Sequence, residues 1–235
     1  MTPLLYAAIA VVGNIVGGVV VIRAAKGGLR AIQGSLAFSA GFMIAVALLG
    51  MLPHAFEAGG DEAAVWVLIG YLLVHFTQHT LVPHFHFGEE THHVSKGTGY
   101  AAMGGLLLHM LFDGVAIASG FAVSTELGFL LFVAILLHKL PEGVTIASIQ
   151  LASGFDGRTA LISAALLGLA TVVGVVVHDA VAFLAAHGLA LSAGVTIYVA
   201  ASNLVPEFQH KRGKWLPLIF FIGAGSYFLA RMAVQ

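Results

Sequence analysis

Eight apolar stretches of about twenty residues, separated by short polar connections, fix the class of fold before any motif is read. About 20 apolar residues coiled as a helix cross the hydrocarbon of a bilayer. The stretches run over 4–22, 35–55, 64–83, 99–122, 127–152, 159–186, 189–208 and 215–234. A soluble domain has roughly 45–50% apolar and about 25% charged residues. This chain has 59% and 9%, with a mean hydropathy of +0.99. The expectation is therefore an all-α integral membrane protein, with residues 1–235 forming a single eight-helix domain. The longest connection, 84–98, is polar and rich in histidine. Cysteine is absent, which removes disulfides and thiolate metal sites, and no basic tract suited to nucleic acid is present.

The basic residues set the orientation. Arg23, Lys26, Arg30, Lys96, Arg158, Lys211, Arg212 and Lys214 fall in the odd-to-even connections, while only Arg231 marks the other side. Positive charge is retained on the cytoplasmic face, so both termini are expected on the non-cytoplasmic side of the membrane (the inner membrane in a bacterium). The first span has no basic stretch before it, so it reads as a membrane helix and not as a cleaved signal. Glu57, Asp61 and Glu62 give the outer connection between spans 2 and 3 an acidic face.

Within the spans one phrase occurs twice. His109-Met-Leu-Phe-Asp-Gly-Val-Ala-Ile-Ala-Ser119 lies in span 4, and His138-Lys-Leu-Pro-Glu-Gly-Val-Thr-Ile-Ala-Ser148 lies in span 5. Neighbouring spans run in opposite directions, so the copies are inverted in the membrane. Gly41 to Pro53 in span 2 and Gly194 to Pro206 in span 7 share the same spacing. Together they predict an inverted repeat, spans 1–3 related to 6–8 and span 4 to span 5. That architecture with a polar site near the midplane is a signature of transporters.

Each phrase sets a histidine and a carboxylate four residues apart, on one helix face about a turn apart. Ionisable groups at that depth are costly and mark function. Gly104, Gly105, Gly114 and Gly143 are expected to let spans 4 and 5 approach closely. His109, Asp113, His138 and Glu142 can then surround one divalent cation, whose charge the two carboxylates balance. Nitrogen and oxygen donors suit Zn²⁺, Fe²⁺, Mn²⁺ or a similar ion. Pro141 removes the helical hydrogen bond to the Leu137 carbonyl and is expected to kink span 5, freeing an oxygen beside the site.

These phrases, together with Gly41-Phe-Met-Ile in span 2 and Tyr198 with Leu204-Val-Pro-Glu207 in span 7, resemble the ZIP (Zrt/Irt-like) divalent metal transporters. The resemblance extends over all eight spans. It implies a homodimer that carries zinc or related ions (iron, manganese, cadmium) toward the cytoplasm, with no prosthetic group. It further implies that spans 1, 4, 5 and 6 move against 2, 3, 7 and 8. His109, Asp113 and Glu142 match the family's ligands, His138 a position lining the site, and Met43 a thioether that touches the ion from span 2.

The departures from the family pattern are informative. Many relatives hold a second ion with an asparagine after the first histidine, a carboxylate in span 5 and a glutamate in span 6. Here those places hold Met110, Lys139 and the segment around Thr171. The chain therefore resembles a divergent member with His-Lys-x-Pro-Glu in span 5. A protonated lysine cannot ligate a metal and repels a second dication. The expectation is one metal, with Lys139 as the electrostatic substitute for the other.

Further polar residues are candidates for a pathway. His75 and His79 in the inner half of span 3, with Glu207 and His210, suit a cytoplasmic exit or plain interfacial positions. His84, His86, His92, His93, Glu89 and Glu90 suit weak metal collection. His178 and Asp179, and His54 with Glu57, suit an outer entrance or an ordinary interface. Glu126, Asp156 and His187 read as loop residues. The alternative from another class is an intramembrane zinc-dependent hydrolase, whose metal would keep an open position for water. No His-Glu-x-x-His motif accompanies it.

Overall fold

The computed structural model describes residues 3–23, 29–80, 96–209 and 214–234. Span 1 is α1 (Pro3–Arg23). Span 2 is α2 (Leu29–Val46), a π-helical turn (Ala47–Met51) and α3 (Leu52–Gly59). Spans 3 to 6 are α4 (Glu62–Thr80), α5 (Lys96–Val123), α6 (Thr125–Ala152) and α7 (Gly157–Ala180). Span 7 is α8 (Ala182–Tyr198), a second π turn (Val199–Leu204) and α9 (Pro206–Gln209), and span 8 is α10 (Trp215–Val234). Seven of these runs are long and apolar enough to cross a membrane, and α4 adds a shorter apolar stretch over Glu62–Gln78. The outer surface bears large apolar side chains, among them Leu68, Phe76, Phe221, Leu229 and Met232. That inside-out distribution belongs to a multi-pass, all-α integral membrane protein, because lipid covers what water would reject.

The helix ends follow from local chemistry. Ser124 caps α6, its Oγ accepting from the Leu127 N–H at 3.0 Å, and Asp156 caps α7 by accepting from the Thr159 N–H at 2.8 Å. Hydrogen bonding from Thr159 holds the exposed Asp156 carboxyl below its ordinary range. Asp156 is thus a cap and not a plain loop residue. α6 closes on Gly154, whose φ of 81° lets the Phe155 N–H reach the Gln150 carbonyl at 3.0 Å.

Two boundaries depart from expectation. Span 6 ends at Ala180 instead of 186, and a single extended residue, Val181, separates it from α8. The apolar run through Val181–Ala186 contains no glycine or proline, so sequence gives no sign of the break. His187 accordingly lies inside α8, its ring 4.7 Å from Trp66 and 5.1 Å from Phe183. Residues 96–98, expected in the histidine-rich connection, already belong to α5, and 84–95 lie outside the described residues.

The shared Gly-to-Pro spacing of spans 2 and 7 has a structural counterpart that was not foreseen. Each span widens into a π turn just before its proline, with the Leu52 N–H bonded to the Ala47 carbonyl and the Val205 N–H to that of Ala200. A proline has no N–H to offer the preceding turn, and the wider turn accommodates it within a helical span.

Glycines fuse the helices pairwise. A Cβ at Gly17 would collide with the Leu140 carbonyl oxygen and one at Gly143 with that of Asn14, so α1 and α6 touch backbone to backbone. Gly114 meets the Thr171 carbonyl and Gly174 that of Leu111, joining α5 to α7. Gly41 and Gly223 join α2 to α10 through Phe220 and Phe38, and Gly70 and Gly194 join α4 to α8 through Leu191 and Val67. These seams make four pairs, α1 with α6, α5 with α7, α2 with α10 and α4 with α8. Gly114 and Gly143 therefore do not draw spans 4 and 5 together as expected. Each follows a site carboxylate by one residue and is turned about 100° away from it, onto α7 or α1. Gly104 faces open space.

Candidate metal centre

Facing turns of α5 and α6 build the centre. Its four donors occupy buried positions, His109 and Asp113 on one helix, His138 and Glu142 on the other. One ligand atom from each lies within 4.8 Å of all the others. His109 Nε2 is 2.8 Å from Glu142 Oε1 and 3.7 Å from Asp113 Oδ2. His138 Nε2 is 3.3 Å from Asp113 Oδ2 and 3.5 Å from Glu142 Oε1. Donors of a tetrahedral zinc with bonds of about 2.0–2.2 Å stand about 3.3–3.6 Å apart. Three of the four distances fall at or near that spacing, and the fourth is shorter.

His138 is already oriented. Its Nδ1 lies 2.8 Å from the Ala134 carbonyl oxygen, which only an Nδ1–H can satisfy. That bond leaves Nε2 as the atom aimed at the carboxylates, the arrangement that readies an imidazole for a cation. His109 Nδ1 is buried without a partner among the described residues.

Lys139 completes the cluster. Its side chain is fully buried, and its Nζ donates to Asp113 Oδ2 and, at 3.2 Å, to Glu142 Oε2. Met110 Sδ lies 2.8 Å from the same nitrogen. One ammonium thus bridges the two carboxylates, and the residues following the two histidines meet each other. A buried charge survives only when paired and hydrogen-bonded.

The carbonyl that Pro141 frees has a partner on another helix. α6 runs through the proline without a break, and the Leu137 carbonyl that it leaves free accepts a hydrogen bond from Ser39 Oγ of α2 at 2.9 Å. That oxygen is therefore already engaged. Ser39 and Met43 share one face of α2 four residues apart, and Met43 is buried.

The other candidates stand apart from the cluster. His178 is buried and pairs with the exposed Asp179 at 2.9 Å. The exposed His75 sets its ring 5.7 Å from that of Tyr198. His54 Nδ1 lies 2.7 Å from the Gly50 carbonyl oxygen, and Glu57 is exposed. The side chains of His79 and Glu207, together with His84, His86, Glu89, Glu90, His92, His93 and His210, lie outside the described residues. Sequence reasoning missed Ser39 and Asn14, whose signal is a lone polar side chain within an apolar span.

Comparison with known proteins adds one match. The ZIP zinc transporter family model covers residues 88–232, a stretch that contains both His/carboxylate phrases and all four donors. A search of curated proteins finds no match. With more than half of its length matched and a buried His/carboxylate cluster between its repeated phrases, the chain belongs to the ZIP zinc transporter family.

Proposed function

We propose that the protein moves a divalent metal ion, zinc first among them, across the membrane toward the cytoplasm through His109, Asp113, His138 and Glu142. One observation carries this reading: four buried donors from two helices converge within 4.8 Å of one another. Met43 approaches from α2 as a softer fifth donor. Lys139 takes the place of a second ion, because its ammonium already bridges Asp113 and Glu142. The centre therefore binds one metal at a time.

The glycine seams support the inverted repeat. The seam of Gly17 with Gly143 corresponds to that of Gly174 with Gly114, and Gly41 with Gly223 to Gly194 with Gly70. Every pair follows the alignment of span 4 on 5 and of spans 1–3 on 6–8. Each seam also lies within one of the two groups that the family resemblance implies, spans 1, 4, 5 and 6 or 2, 3, 7 and 8, which suits movement of one group against the other. Residues 1–235 make one transport domain, with both termini outside, the 84–98 connection inside, and a homodimer as the working unit.

The test is flux. Purified protein in liposomes should carry Zn²⁺ inward, and His109→Ala and Glu142→Ala proteins that fold should carry none. Metal-dependent cleavage of lipid or peptide without flux would instead favour an enzyme.

A further inference from the structure

We infer that Asn14 receives the Lys139 ammonium when the transported cation takes Asp113 and Glu142. This rests on the metal reading above. With the site as described, Lys139 donates to both carboxylates. A dication held by those same oxygens sits beside Nζ and repels it strongly at the low dielectric of a buried site. An ammonium that moves aside needs another buried acceptor, since an unpaired buried charge is not sustained.

Asn14 supplies one. Its side chain is fully buried, and both its Oδ1 and Nδ2 lack a partner among the described residues. A buried amide left unpaired is costly and calls for an explanation. Its position gives one. α1 lies directly on the turn of α6 that carries Lys139: a Cβ at Gly13 would meet the Lys139 Cβ at 2.8 Å, and Gly143 abuts the Asn14 backbone. Of the other buried side-chain oxygens without partners among the described residues, Gln150 and Ser153 lie beside Gly99 and Ser119 beside Gly188, while Thr171 abuts Gly114 as Asn14 abuts Gly143.

The repeat sharpens the assignment. Gly143 abuts Asn14 as Gly114 abuts Thr171, so Asn14 stands to Lys139 as Thr171 stands to Met110. By that correspondence the residue able to offer an amide oxygen answers the lysine, and the shorter hydroxyl answers the neutral thioether. Asn14 is thus a positioning residue: it acts on the cation only by drawing Lys139 off the ligands.

A double-mutant cycle tests this, with Zn²⁺ affinity measured by calorimetry on the purified full-length protein. Asn14→Leu should weaken Zn²⁺ binding about tenfold, the worth of a hydrogen bond to a charged group. In a Lys139→Met background, where no ammonium needs a new partner, the same substitution should leave affinity unchanged. Equal losses in both backgrounds, or none in either, would overturn the assignment. The metal-free melting temperature should not fall in Asn14→Leu, whereas a merely structural amide would lower it. Asn14→Asp guards against a poorly folded leucine variant, and should bind Zn²⁺ at least as tightly as the wild type; weaker binding counts against the inference. A wild-type protein that binds no Zn²⁺ sinks the metal reading itself, while binding with equal losses sinks only the role of Asn14.

Discussion

Ser39 Oγ donates to the Leu137 carbonyl at 2.9 Å, filling from α2 the hydrogen bond that Pro141 removes from α6. The bond crosses from the α2–α10 pair to the α1–α6 pair, one residue before His138. Ser39→Ala should leave that carbonyl unpaired in the interior and cost about 1–3 kcal/mol. Thermal unfolding in detergent, with and without Zn²⁺, checks it; an unchanged melting temperature would mean that another donor reaches Leu137.

Gly143 and Gly104 should respond oppositely to alanine. At Gly143 the new methyl meets the Asn14 backbone, so α1 must shift, a strain of about 1–3 kcal/mol. At Gly104 it meets nothing, and replacing a helical glycine should gain about 0.5–1 kcal/mol. Melting temperatures of the two variants measured side by side decide the matter. The Gly143→Ala protein should also lose Zn²⁺ affinity, because Glu142 and Lys139 move with that turn.

Lys139→Ala should alter the metal centre without emptying it. Removing the ammonium leaves Asp113 and Glu142 facing each other across a buried site, so the variant should hold one Zn²⁺ more tightly and release it more slowly. Equilibrium binding should tighten while liposome uptake falls. Unchanged affinity together with unchanged uptake would remove Lys139 from the mechanism.

Asp156 makes a pH-dependent contribution outside the membrane. Its carboxyl is held below its ordinary range chiefly by hydrogen bonding from Thr159. A depressed acid stabilises the fold above its unfolded pKa, and that support is lost as pH falls through the lowered value. The advantage of wild type over Asp156→Ala in thermal stability should thus be present at pH 6 and fade in acid below about 4. Asp156→Asn should keep most of the cap and lose the pH dependence.

The sequence made the spans and four donors legible for one reason: polar residues inside apolar runs have few tolerable explanations. Periodicity then placed His109 with Asp113 and His138 with Glu142 on single faces. What it could not reveal depends on how faces meet. Gly114 and Gly143 were legible as close-contact residues, but their partners were set by the 100° between adjacent positions, which sends them to α7 and α1. The Val181 break was hidden because an apolar residue extended within a membrane reads no differently from one in a helix. The π turns were concealed by the same uniformity, although Pro53 and Pro206 stand beside them. Ser39 was overlooked because its role exists only once Pro141 has vacated a carbonyl on another helix.

The ammonium of Lys139 also sets how the proposed carrier feels voltage. With both imidazoles counted as neutral, the two carboxylates and one ammonium give the empty centre a charge of −1, and a divalent ion makes it +1. An interior-negative potential then draws the loaded centre inward and drives the empty one back out. Each elementary charge that crosses the full field is worth about 2.3 kcal/mol per 100 mV. A site of two carboxylates without the lysine would be neutral when loaded, and the field would act on the return stroke alone. The buried lysine therefore divides the electrical work between the two halves of the cycle.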